Sequence, residues 1–361
     1  MTPQYRVEKD GLDITPLIAP RFMSMSVTDS IGWGSDALTL ELADPDRNLE
    51  IPRRGVRLSI YLGYAETSLE WLGIFVVDKV AINGPPDSIT ISCCGAAFID
   101  ADQGKAWQTR KSRSWETQII DRMAATIAAE HGVDVDVSIT APEIVLPQVE
   151  QTDESDIHLL MRIASQYDLL VKPAVGKLIV MRRTDMSTPG GTEIPTITII
   201  PQDIADWNFD LGNRLRYNKV IATYHDFSLG EPVECTAGAG DVAYRHPGAF
   251  SNALDAQAAA YAYLHASQRG GATFSFSLPG RGDIRADMIL ELSGFRDGLD
   301  GDGWKIENVE HKIDRSGYSI TISGTNRTVS GDEEQAFDSE GISTSDGFGV
   351  TTEDGREEIT T

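Results

Sequence analysis

Three cysteines in 361 residues, two of them adjacent at Cys93 and Cys94, are too few and too close for a disulfide framework. That excludes the cross-linked secreted scaffolds and fits a reducing compartment. No window holds the roughly 18 consecutive apolar residues of a membrane-spanning helix. The opening MTPQYRVEKDGLD has no basic stretch followed by an apolar core. The chain therefore reads as one without stable membrane insertion and not exported by a signal peptide. Positive charge is scarce as well: 31 Lys and Arg stand against 55 Asp and Glu, a formal net charge of -24. Affinity for the phosphate backbone comes from clustered cations, so sequence-specific nucleic-acid recognition is excluded.

Catalytic signatures are missing too. There is no GxSxG elbow, no GxxxxGK phosphate loop and no HExxH zinc motif. The glycines Gly238 and Gly240 lack the spacing of a dinucleotide site, and the six histidines are scattered. Cys93 and Cys94 would point to opposite faces of one strand. Asp297, Asp300, Asp302 and Glu307 miss the EF-hand spacing. The expected reading has no catalytic residue, no metal and no cofactor. Paired carboxylates are abundant among the acidic residues, so a lysozyme-like cell-wall hydrolase stands as the alternative, and a glycan-binding adhesin as a third class.

What is present is ordinary globular material, 41% hydrophobic and 24% charged, long enough for several cores. Residues 23–94 alternate in the period of strands: Leu38, Leu40 and Leu42 share one face, and Val56, Leu58, Ile60 and Leu62 another. Turn residues at 44–48, 63–67 and 83–87 separate the runs. After Trp107 the texture changes. Ser114 is a candidate cap for a helix carrying Trp115, Ile119, Met123 and Ile127, with Gly132 as the stop. Asp153 or Ser155 caps a second helix whose stripe is Ile157, Leu160, Met161, Ala164 and Tyr167. A strand at Lys177–Met181 follows. From Trp207 the β pattern resumes with Lys219–Tyr224, is broken by an alanine-rich helix Ala253–Gln268 capped by Asn252, and ends in four strand-like runs up to Ser323. The tail from residue 331 carries ten acidic residues against Arg356 alone, too polar to order itself.

The fold class expected is mainly β with α+β parts. It comprises two related tube-like β-barrel domains, a small α/β domain and a helical insertion. Residues 1–104 form the first barrel, 105–200 the α+β domain, 201–245 with 271–328 the second barrel, 246–270 the helical insertion, and 329–361 an acidic flexible tail.

The two β regions share an order of features. GVRLSIYLGY at 55–64 parallels RADMILELSGF at 285–295; Trp71 and Trp304 each open a long strand; each long strand then leads to SITIS, at 88–92 and 319–323. Three copies of a chain with two such barrels offer six near-equivalent positions around an axis. Each SITIS segment puts Ser88, Thr90 and Ser92, or Ser319, Thr321 and Ser323, on one strand face. That face suits the wall of a lumen, or equally a Thr-rich face buried in a sandwich. Lys105, Trp107, Arg110, Lys111 and Arg113 form a basic and aromatic cluster suited to an acidic partner, or to a solvated linker and helix start.

The segments SDALTLELADPDRNLEIPRRGVRLSIYLGY, TRKSRSW, QTDESDIHLLMRIASQYDLLV and GFRDGLDGDGWKIENVEHKIDRSGYSITIS resemble the late-control gene D family, the baseplate hub proteins of contractile phage tails and tailocins. The resemblance covers roughly residues 5–328; the acidic tail lies outside it. It implies a structural hub: a homotrimer whose barrels make a pseudo-sixfold ring between tail tube protein and spike protein. Other baseplate proteins would grip its outside, and tape-measure protein is a further candidate partner. The expected location is the virion's tail baseplate, with assembly in the bacterial host cytoplasm. An acidic lumen would let DNA or tape-measure protein pass without sticking.

Overall fold

In the computed structural model the alternating runs are strands, and most of them join one large sheet. The structure describes residues 1–32, 36–95, 107–137, 144–146, 148–174, 177–183, 193–212, 217–268 and 272–326. The N-terminal strands are β1 (Pro3–Lys9), β2 (Leu12–Asp13), β3 (Phe22–Ser30), β4 (Ala37–Ala43), β5 (Arg57–Tyr64), β6 (Leu69–Asn83) and β7 (Ser88–Gly95), with a one-turn helix α1 (Thr15–Ile18). The middle of the chain holds β8 (Arg110–Trp115), β9 (Gln118–Ile119), α2 (Ile120–Glu130), β10 (Asp134–Val137), β11 (Val145–Leu146), β12 (Val149–Ser155), α3 (Asp156–Gln166), β13 (Leu169–Ala174) and β14 (Lys177–Arg182). Then come β15 (Thr196–Ile199), β16 (Asp206–Leu211), β17 (Lys219–Asp226), β18 (Glu231–Gly238), β19 (Ala243–Phe250), α4 (Ala253–Gln268), β20 (Ala272–Pro279), β21 (Ile289–Leu292), β22 (Gly301–Asp314) and β23 (Gly317–Asn326).

The chain is mainly β, as its alternation requires. Among the described residues, however, the strands do not close into two separate barrels. They follow one open path of hydrogen bonds, β16-β20-β23-β22-β3-β4-β7-β6-β5-β1-β2, with β21 on β22 and β15 on β21. One core lies under this sheet and draws on both ends of the chain: Leu38, Leu40, Ile60 and Ile91 share it with Phe276, Ile306, Ile313 and Ile322. Burial of so many aliphatic side chains on a single face, at ~1.5–3 kcal/mol each, is what holds the two halves as one body.

Within that path the same order occurs twice. The first half runs β3-β4-β7-β6-β5 and the second β16-β20-β23-β22-β21. The register agrees in detail. β6 shifts by one residue against β7 between Val77 and Lys79, and β22 shifts against β23 between Ile306 and Asn308. A bulge re-aims a strand and is a specific feature, so its repetition is stronger than shared alternation. Entry to the two short strands also matches. Gly55 N donates to Val77 O and Asp287 N to Ile306 O, and both residues have positive φ, 86° and 77°. The counterparts differ at one margin, since β1 pairs antiparallel to β5 whereas β15 pairs parallel to β21.

This register corrects the expectation that Trp71 and Trp304 are equivalent. Ser88 faces Asn83 and Ser319 faces Lys312, so counting back along each strand puts Trp304 opposite the place of Phe75. Phe75 and Trp304 are both buried in the core, whereas Trp71 is 46% exposed. Beyond these equivalent pairs the β22–β23 hairpin adds two more, Ile313 with Tyr318 and Asp314 with Gly317, so similar chain distances from the SITIS segments do not mark equivalent positions.

The middle segment has its own core of Trp107, Met123, Ile127, Leu159, Leu160, Ile163 and Leu178 between α2, α3 and short strands. Ser114 and Trp115 are not in the first helix: RKSRSW alternates with period two and pairs as β8 with β12, and α2 starts five residues later without a side-chain cap. In α3 Ser155 is the cap, its Oγ accepting from His158 N at 3.3 Å, but Met161 is exposed and Leu159 and Ile163 take the inner face. The strand β17, expected in the second barrel, pairs instead with β18 and β19. α4 packs Ala256, Ala260 and Leu264 on that sheet, so the insertion is three strands and a helix rather than a helix alone. Asn252 Oδ1 accepts from Asp255 N at 2.9 Å as the expected cap.

Gly324, in β23, lies against Lys305 O and the Phe274 ring, with no room for a methyl group. Gly324→Ala is therefore expected to cost about 1–3 kcal/mol through overpacking. A fall in the urea midpoint with unchanged m-value would show it; an unshifted midpoint would mean that the sheet gives way there at no cost.

Candidate assembly site

Alternation sorts each strand of the large sheet into a core face and a polar face. Across neighbouring strands the polar positions line up into one continuous band. Ser319, Thr321 and Ser323 face Lys312, Glu310 and Asn308, which face Ser26, Thr28 and Ser30. Thr39 and Glu41 come next, then Ser92, Thr90 and Ser88, and finally Lys79, Ala81 and Asn83. On the other side Ser277 and Ser275 lead to Asp206 and Asn208.

Small hydroxyls dominate this band, and they hold its few charges in place. Ser26 Oγ donates to Glu310 Oε1 at 3.0 Å, Ser24 Oγ to Glu41 Oε2 at 3.2 Å, and Asn83 Nδ2 to Thr90 Oγ1 at 3.1 Å. Ser319 and Thr321 are exposed, Thr90, Ser92 and Ser323 are half-buried, and Ser88 is buried. The six hydroxyl residues singled out in the two SITIS segments therefore lie on one face of one sheet. Sequence reading missed the residues between them, Ser24–Ser30 and Asn308–Lys312, because it treated the two β regions as separate sheets.

The junction of the halves is β22 against β3, from Asn308 opposite Ser30 to Asp314 opposite Ser24. On its core side His311 is fully buried with Nδ1 2.9 Å from Tyr318 Oη. Burial, and next the neighbouring Arg285 guanidinium, push the His311 pKa down to about 3, so the ring is neutral at physiological pH. Arg285 Nη2 donates to Trp71 O at 2.7 Å and Asp29 Oδ2 accepts from Ala286 N at 3.0 Å, which ties the halves at a second place.

The basic and aromatic cluster is largely consumed inside the middle segment. Lys105 lies outside the described residues. Trp107 is fully buried and stacks on His131 at 4.0 Å. Lys111 Nζ and Arg113 Nη2 donate to the two oxygens of buried Asp156 at 2.6 and 2.9 Å, and Arg113 also lies over the Trp115 ring. Arg110, exposed, pairs with exposed Asp153 at 2.8 Å. Likewise Asp300 accepts from the backbone of Gly294 and Phe295 at 3.1 and 2.9 Å and braces a turn.

Comparison with known proteins bears on this sheet. The family model described as phage tail baseplate hub (GPD) matches residues 105–317. The probable baseplate hub protein of Escherichia phage P2 is 29% identical, with 89% of this chain and 92% of that protein aligned. The 43 kDa tail protein of prophage MuSo2 from Shewanella oneidensis has a TM-score of 0.62 at 16% identity, over 90% of this chain and 96% of that one. An E. coli type VI secretion component, described as structurally similar to the T4 tail proteins gp27 and gp5, has a TM-score of 0.55 at 10% identity, covering 91% of this chain and 77% of its own. Matched by the family model over more than half its length, and carrying the fold of tail proteins, the chain belongs to the phage tail baseplate hub family and is a hub protein of a phage tail.

Proposed function

We propose that three copies form a ring with pseudo-sixfold symmetry, which joins the sixfold tail tube to the central spike, and that the hydroxyl-rich band lines its lumen. The observation that carries this reading is the repeated strand order, β3-β4-β7-β6-β5 and β16-β20-β23-β22-β21, with its repeated bulge. Two similar units per chain make three chains equivalent to six positions, which is what a threefold-to-sixfold adaptor needs. In this reading residues 1–104, and 201–245 with 271–328, supply the tube-like units, which become closed barrels only in the ring. The domain at 105–200 and the insertion stand outside it, within reach of other baseplate proteins.

Short hydroxyls suit a lumen because they present small dipoles and few cations, so an acidic polymer or a tape-measure segment slides without being held. Mass measurement of the purified chain, alone and mixed with its spike protein, tests the stoichiometry. A trimer in either sample supports the ring; a monomer in both contradicts it.

A further inference from the structure

We infer that β16 of one chain pairs antiparallel with the far half of β6 of the next, repeating between chains the β22–β3 junction that each chain makes internally. The inference rests on the ring reading and adds which strands close it.

β22 is paired along one edge with β23, and along the other with β21 near its start and β3 near its end. Its counterpart β6 is paired with β7 and, near its start, with β5. Among the described residues no strand takes the remaining edge at Lys79–Asn83. Conversely, β3 sits between β4 and β22, whereas its counterpart β16 pairs with β20 alone and ends the path. Each chain thus shows one complete junction and the two separated halves of a second.

The register transfers residue by residue. Through the SITIS strands, Val309, Glu310, His311 and Lys312 correspond to Val80, Ala81, Ile82 and Asn83. Through β4 and β20, Met25–Asp29 correspond to Trp207–Leu211. The internal pairs then place Val80 opposite Leu211, Ala81 opposite Asp210, Ile82 opposite Phe209 and Asn83 opposite Asn208. Trp207 falls opposite Gly84.

The side chains fit that register. Ile82 is 64% exposed, Leu211 63% and Trp207 46%, while at the internal junction His311, Met25 and Val27 are buried. Apolar groups left in water on two unpaired edges are what a long edge strand ordinarily avoids, and mutual pairing covers both. A cavity of ≈ 720 Å³ opens beside the β6 edge, at the place assigned to the Trp207 ring; Leu49, Ile51 and Ile82 give it an apolar side, and Asp44, Arg47 and Asp87 a charged one. On the polar face Lys79 becomes the diagonal neighbour of Asp210, an opposite-charge pair. The two edges differ, so the contact is head-to-tail and must close into a ring or grow as a filament.

Cysteine cross-linking of the full chain tests this. Ala81→Cys with Asp210→Cys in one chain is expected to give covalent dimers and trimers under mild oxidation. Either substitution alone should add nothing to the background of Cys93, Cys94 and Cys235, and a mixture of the two single variants should stop at dimers. Leu211→Glu, at a solvent-facing position of the single chain, is expected to abolish the trimer while leaving the far-UV circular dichroism spectrum of a folded chain. A trimer by mass that gives no such cross-link overturns this interface and leaves the ring standing. A chain that stays monomeric and uncross-linked, its edges free for another protein's strand, overturns both.

Discussion

Asp156→Ala is expected to destabilise the middle segment by roughly 2–3 kcal/mol, because it leaves buried Gln151 and His131 without their acceptor and strips half-buried Lys111 and Arg113 of one of their two carboxylates. Asp156 is fully buried at the start of α3, and its two oxygens take Lys111, Arg113 and Gln151 at 2.6, 2.9 and 2.9 Å, with His131 Nε2 at 2.8 Å. Burial pushes its pKa up, but hydrogen bonds from Lys111, Gln151 and His131 outweigh that and hold it below the ordinary aspartate value. A folded-state pKa below the unfolded one means stability that is present above roughly pH 4 and lost as pH falls through the folded value. Glu130, which shares Lys111 and Arg113 but is a third exposed, makes the comparison: Glu130→Gln should cost no more than about 1 kcal/mol. Urea unfolding of both variants at pH 7 measures the contrast. Equal, small effects would mean that the cluster contributes little and that apolar packing around Met123 and Leu159 holds the segment.

The second large effect lies at the internal junction. With a pKa of about 3 when folded, against roughly 6.5 when unfolded, His311 stabilises the fold fully above pH 6.5, and that contribution declines as pH falls toward 3. At pH 4 the loss amounts to roughly 3 kcal/mol. The groups around the ring are Arg285, which disfavours its charge, Asp283, which favours it less strongly, and the Tyr318 hydroxyl. His311→Gln keeps a neutral partner for Tyr318 and cannot protonate. Its stability should therefore fall less between pH 6.5 and 4 than that of the natural chain. Parallel pH profiles would show that the junction admits an imidazolium, in contradiction to its burial.

These two sites differ in how far they could be read from sequence. His311 sits in WKIENVEHKI, where period-two alternation shares its face with Val309 and Ile313, yet among six scattered histidines nothing in the sequence singled it out. Asp156 was hidden: a helix-start aspartate after Ser155 reads as an exposed first-turn acid, and its partners at 111, 113 and 131 are distant in sequence. The same distance explains the misread helix start at Ser114. RKSRSW becomes a strand only because Gln151 and Val149 lie opposite Arg113 and Trp115.

Local signals held where one residue suffices. Asn252 and Ser155 cap the helices they were expected to cap, since a cap needs only its own first turn. The strands Glu231–Gly238 and Ala243–Phe250 were not seen, and each carries a proline, which a strand interior ordinarily excludes. For the main sheet the duplication of strand order was legible in the paired SITIS segments. The fusion of both halves into one sheet was not, because β22–β3 pairing joins residues some 280 positions apart and leaves no mark in either strand's pattern.

A density map of the assembled oligomer, fine enough to trace strands, tests the whole account most directly. It should show three chains and six similar lobes. A single uninterrupted sheet should run around the axis, with Trp207 seated beside Gly84 of the adjacent subunit and the serine and threonine band facing inward. A map in which the subunits meet through their middle segments or insertions, with the Asp206–Leu211 strand left bare, would contradict it.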